Sequence, residues 1–140
     1  MTDAKTYLQQ IKLYDTHINN KLEEKARLKA MALNITSTIK GDVVSGSHSQ
    51  DKIGDAISKV MDLEREIAEL TDALIDAKED VTETLSKMRN EKHRTLLYKR
   101  YVEYWSWNKI AKEIGYTYRG TVKAHGRALQ TLEKVMKSCN

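Results

Sequence analysis

Along the first quarter of the chain, apolar side chains fall at Tyr7, Leu8, Ile11, Tyr14, Ile18, Leu22, Leu28 and Met31, mostly three or four residues apart. Such spacing draws a stripe down one helix face and predicts a helix from about Asp3 to Ser37. Thr2 or Asp3 can cap its start by accepting backbone N–H bonds. A second stripe is more regular: Val60, Leu63, Ile67, Leu70, Leu74, Ala77, Val81, Leu85 and Met88 alternate steps of three and four, the requirement for a coiled-coil seam. With Asp51 as N-cap, this helix gains Ile53, Ala56 and Ile57 and is roughly 55 Å long. Between the two stripes, residues 38–50 are Gly- and Ser-rich and without period over 41–50, and read as a loop.

A helix of that length cannot hide an apolar stripe alone. The two segments are similar in length and closely joined, so they are expected to fold into a long antiparallel helical hairpin over residues 1–88. Two helices cover only part of each stripe, and a homodimer through residues 51–88 is therefore expected, with the hairpin as a coiled-coil stem. The many carboxylates of the second segment fall on its outer face, where water solvates them.

From residue 89 the texture changes, and residues 89–140 read as a separate small domain. Seven of the nine aromatic residues lie between Tyr98 and Tyr118, an efficient way to build a core in so short a stretch. Glu91–Tyr104 reads as a helix with Leu97 and Tyr101 inward. Ser106 caps a short helix, Trp107–Ile114, with Ile110, Ala111 and Ile114 on its inner face, and Gly115 stands where a positive φ ends it. Thr117 then caps a third helix, 118–137, whose inner stripe is Thr121, Ala124, Ala128, Leu129, Leu132, Val135 and Met136. Two helices joined by so few residues, with small Ala111 at the crossing, form a helix-turn-helix.

Charge sharpens this picture. The net +4 divides into −4 over residues 1–88 and +8 over residues 89–140, where 12 Lys and Arg face 4 Glu. A compact basic end on an acidic helical body points to a polyanion. In a helix-turn-helix the start of the second helix enters the major groove. Arg119 is the candidate for bidentate contact with guanine, while Tyr118 and Thr121 are placed for base-edge or methyl contacts. Lys109, Lys112, Lys123 and Arg127 are candidate phosphate contacts, and the Thr117 hydroxyl is another. Val122 flanks the stripe undecided between packing and groove. His125, beside Ala124 and Ala128, reads as half-buried and structural, with a phosphate contact as the alternative.

Other chemistries find no footing. His17, His48, His93 and Cys139 are scattered singly without ligand spacing, so no metal and no cofactor are expected. Neither a phosphate-binding Gly-rich loop nor a Ser/His/Asp constellation appears, and no enzyme is expected. No apolar run is long enough to span a bilayer and no signal-type start is present; the chain reads as soluble, cytoplasmic and off the membrane.

The stretches Arg94-Thr-Leu-Leu-Tyr-Lys-Arg-Tyr101, Ser106-Trp-Asn-Lys-Ile-Ala-Lys-Glu-Ile-Gly-Tyr-Thr117 and Arg127-Ala-Leu129 resemble region 4 of bacterial sigma factors. The resemblance covers roughly residues 94–132. With the long helices ahead of it, the whole chain resembles the phage and prophage sigma-region-4-like transcriptional regulators of the ArpU/RinA-like group. It departs from the sigma pattern at Lys99, Lys109 and Gly120, and has no room for a region that melts DNA. The resemblance implies an all-α fold with a sigma-region-4-like helix-turn-helix domain. It also implies sequence-specific binding of double-stranded DNA, control of late phage genes in a bacterial host, and RNA polymerase as a partner. Two other functions compete: a DNA-packaging accessory of the small-terminase kind, and a polymerase-binding module that touches no DNA.

Overall fold

A computed structural model describes residues 3–41 and 46–138. Within them lie five helices and no strand: α1 (Ala4–Gly41), α2 (Gly46–Ser86), α3 (Glu91–Tyr101), α4 (Trp107–Ile114) and α5 (Tyr118–Ser138). The fold is all-α, with a long first helix pair and a small C-terminal helical part. None of the described helices is long and apolar enough to cross a membrane.

Asp3 caps α1: its Oδ1 accepts the Thr6 N–H at 2.7 Å. Asp51 does not cap α2, because that helix already begins at Gly46. The expected loop at 38–50 is likewise corrected at both edges, since α1 runs to Gly41 and α2 includes residues 46–50. No Pro interrupts this stretch, and each Ser or Gly costs a helix at most about 1 kcal/mol, too little to stop one. Residues 42–45 of the expected loop, Thr2 and Cys139 lie outside the described residues.

The chain forms two compact units, Tyr14–Ala73 and Met1–Leu13 together with Leu74–Asn140. In the first, Lys21 Nζ meets Glu66 Oε2 at 2.8 Å and Lys25 Nζ meets Glu64 Oε1 at 3.2 Å. Four residues forward on α1 thus answer two residues back on α2, the antiparallel sense. Exposed pairs of this kind contribute about 0.2–1 kcal/mol each, so the apolar stripes do more. Ala56 and Leu63 are buried, and Ile18, Leu28, Val60, Ile67 and Leu70 half-buried. Leu22, Met31 and Ile57, expected on the inner stripes, are instead 44%, 47% and 51% exposed. Each stripe is wider than one helix–helix contact can cover.

The second unit is larger than a boundary at 88/89 anticipates. Ala4, Leu8 and Ile11 from the start of α1, and Leu74, Ala77, Val81, Leu85 and Met88 from the end of α2 and just beyond, are buried in it. Tyr7 ties the two helices: its hydroxyl donates to Asp80 Oδ2 and lies 3.0 Å from Thr84 Oγ1. Burial, then the Asp80 bond, push its pKa up to about 12. Leu96 and Leu97 of α3, Ile110, Ala111 and Ile114 of α4, and Thr121, Ala124, Ala128 and Leu132 of α5 complete the core. A domain this small cannot bury enough apolar surface with three short helices alone, so it draws on the ends of its long neighbours.

Helix α3 stops at Tyr101, three residues short of the expected end. Tyr104 takes a left-handed φ of 61°, and the Trp105 N–H returns to the Lys99 carbonyl at 2.9 Å. That reversal delivers the chain to Ser106, whose Oγ caps α4 by accepting the Lys109 N–H at 3.2 Å.

Candidate functional site

Gly115, at φ 76°, ends α4 in the left-handed conformation that lacks a Cβ penalty only for glycine. The turn through Tyr116 then places Thr117, whose Oγ1 accepts the Gly120 N–H at 3.0 Å and so caps α5. A Cβ on Gly120 would stand 3.0 Å from that same Oγ1, so the first turn of α5 closes tightly around its cap.

This entry angle divides the candidate residues. Tyr118, Arg119 and Lys123 are exposed and, with Val122, line one shallow concavity of about 510 Å³. Val122 is 43% exposed, which places it on the surface rather than in the core. Thr121 is a correction: it is fully buried, and its hydroxyl donates to the Thr117 carbonyl at 2.8 Å. One helical residue in three or four must face the core, and Thr121 shares that face with Ala124, Ala128 and Leu132.

Lys112 and Arg127 are exposed, and within the described residues neither they nor Arg119 and Lys123 form an ion pair. Lys112 sits in the last turn of α4, where a cation also complements the helix dipole. Lys109 has its ammonium 3.9 Å from the centre of the Trp105 ring, which Lys99 approaches at 4.4 Å. Thr117 is exposed, with its hydroxyl already engaged as the cap. Gly126 is exposed on α5 and a Cβ there would meet nothing within 4 Å, so packing inside the chain does not require it to be glycine.

His125 stands half-buried on another face of α5. Its Nε2 lies 2.7 Å from the Tyr101 hydroxyl, and its ring meets the Trp107 ring edge-on at 4.7 Å. Burial, followed by the positive charges of Lys5 and Arg100, lowers its pKa from 6.5. Burial and the charge of Arg127 lower His93 in the same way. The unfolded chain therefore binds more protons than the folded one just below pH 6.5. Stability is full above that value and declines as pH falls through it. Urea midpoints are expected to be lower at about pH 5.5 than at about pH 7.5, with a smaller drop in His125→Gln. A wild-type midpoint that rises on acidification would contradict this arrangement.

Comparisons with family models, curated proteins and solved structures find nothing that matches this chain.

Proposed function

We propose that this chain is a sequence-specific, double-stranded DNA-binding transcriptional regulator, encoded by a phage or prophage and acting on late genes in the bacterial cytoplasm. In this reading α4, the turn at 115–117 and α5 act as a helix-turn-helix, with α5 as the recognition helix. The observation that supports it best is the cluster on the first turns of α5. Tyr118, Arg119, Val122 and Lys123 stand exposed together, and the two cations are not ion-paired among the described residues. An exposed ring and a branched apolar side chain among basic groups suit the thymine methyls, guanine edges and phosphates of a major groove. In this reading the protein acts by binding, without catalysis, and its resemblance to sigma region 4 makes RNA polymerase a candidate further partner.

Mobility shifts on duplex fragments test this reading. Arg119→Ala is expected to lose about 1–3 kcal/mol on the cognate site and to relax preference at one base pair. Lys112→Ala should weaken binding almost equally on every sequence and flatten the salt dependence by about one unit of slope. Equal losses on specific and random duplex for both variants would reduce Arg119 to a backbone contact. Absence of duplex binding by the wild type at moderate salt would reject DNA as the partner and leave polymerase contact as the function.

We also propose that the regulator is a homodimer. Of the apolar side chains left uncovered in the unit Tyr14–Ala73, Leu33, Ile57 and Met61 line a groove of about 400 Å³ together with half-buried Val60. Lys29 and Glu64 border it. Glu64 already pairs with Lys25, so the apolar side chains rather than the border charges support the reading: a twofold axis lets the same patch on a second copy cover them.

A further inference from the structure

A second cavity, of about 390 Å³, opens in the unit that holds the C-terminal helices. Its size is that of a small-molecule site. Lys5 and Lys12 of α1 and Arg100 of α3 line it, and no carboxylate does. Neither lysine is ion-paired among the described residues. Three cations and no lining carboxylate make a positive recess; His125 on its wall has its pKa lowered first by burial and then by the charges of Lys5 and Arg100.

The remaining walls are aromatic. Trp107 has one face under the Arg100 guanidinium, 4.3 Å from the ring centre, while Arg100 Nη1 donates to the Trp105 carbonyl at 3.0 Å. The guanidinium is thus held in place with other N–H groups left to donate. Tyr104 lines the rim with its side chain 44% exposed and its backbone at φ 61°. A bulky residue in that conformation is uncommon and costly, and such strain collects at ligand sites. Gln9, one turn from Lys5 on α1, adds an amide that can both donate and accept.

We propose that this cavity binds a nucleoside phosphate, its phosphate held by Arg100 with Lys5 and Lys12 and its base stacked on Tyr104 against the Gln9 amide. Cations without carboxylates in the lining select the phosphate, and an exposed ring and an amide lining the same cavity suit a planar heterocycle. The site stands on its own lining residues, independently of whether α5 reads duplex DNA.

Isothermal titration of the full chain with AMP, adenosine and inorganic phosphate tests this. AMP is expected to bind at least about tenfold more tightly than either part alone. Lys12→Glu and Tyr104→Gly should each weaken AMP by about tenfold or more. Glycine suits the left-handed backbone at 104, and measuring AMP affinity well below the melting temperature of Tyr104→Gly separates loss of the ring from loss of the fold. Equal affinity for AMP and inorganic phosphate would overturn the base-binding half and with it the proposal. So would AMP binding that both variants leave unchanged, or no AMP binding at millimolar concentration. A Lys12→Glu variant that loses duplex affinity, in a protein that AMP does not bind, would also overturn it and assign the recess to the DNA surface.

Discussion

Leu132→Ala is expected to lower the stability of the C-terminal helical unit by about 2–5 kcal/mol, read as a drop in urea midpoint at unchanged m-value. Leu132 is fully buried, on the face of α5 that also carries Thr121, Ala124 and Ala128. Those three neighbours on its own helix are small, so they cannot expand into the space that the lost side chain leaves. The cost therefore includes the cavity as well as the missing transfer free energy. Arg119→Ala, on the exposed side of the same helix, should change stability by no more than about 0.5 kcal/mol. The contrast matters for function, since loss of duplex binding in Leu132→Ala would reflect unfolding, whereas loss in Arg119→Ala would not. A Leu132→Ala cost below about 1 kcal/mol would mean that α5 is not packed as described.

The boundaries that capping chemistry sets were legible in the sequence. Asp3, Ser106, Gly115 and Thr117 each act where their side chain or missing Cβ predicts, because a cap is a local event between residues three or four apart. The inner faces of α4 and α5 were legible for the same reason: one period fixes one face. What failed depends on partners distant in sequence. Nothing near Tyr7 marks it as the donor to Asp80, seventy-three residues on. The stripe from Val60 to Met88 reads as one uniform seam, yet Val81 is 0% exposed while Leu70 is half-buried. The difference lies in the compact unit each belongs to, which periodicity along one helix does not encode. Thr121 falls both on the expected inner stripe and among the base-edge candidates; the packing bears out the stripe, and its buried hydroxyl bonds back to Thr117. The recess beside His125 escaped the sequence because its lysines and its rings come from opposite ends of the chain.

The same distinction redirects the test of assembly. Leu74 lies in the expected seam, but it is only 9% exposed within the chain's own compact unit, so Leu74→Asp would disrupt folding before it reported on dimerisation. The informative positions are Leu33 and Met61, 68% and 62% exposed beside the groove bordered by Lys29 and Glu64. Large apolar side chains gathered on one surface mark an interaction site, and burying each contributes about 1.5–3 kcal/mol. In a twofold dimer every substitution counts twice, because the same patch serves both copies. The wild type is expected to sediment as a dimer at micromolar concentration. The double variant Leu33→Glu, Met61→Glu should sediment as a monomer with unchanged helical circular dichroism, since both positions are exposed and glutamate is a good helix former. Its affinity for a twofold-symmetric duplex site should fall with the dimer, while affinity for a half-site stays the same, because a dimer joins two half-site contacts in one binding event. A wild type that sediments as a clean monomer would reject the second copy as occupant of the groove, as would a double variant that remains a dimer.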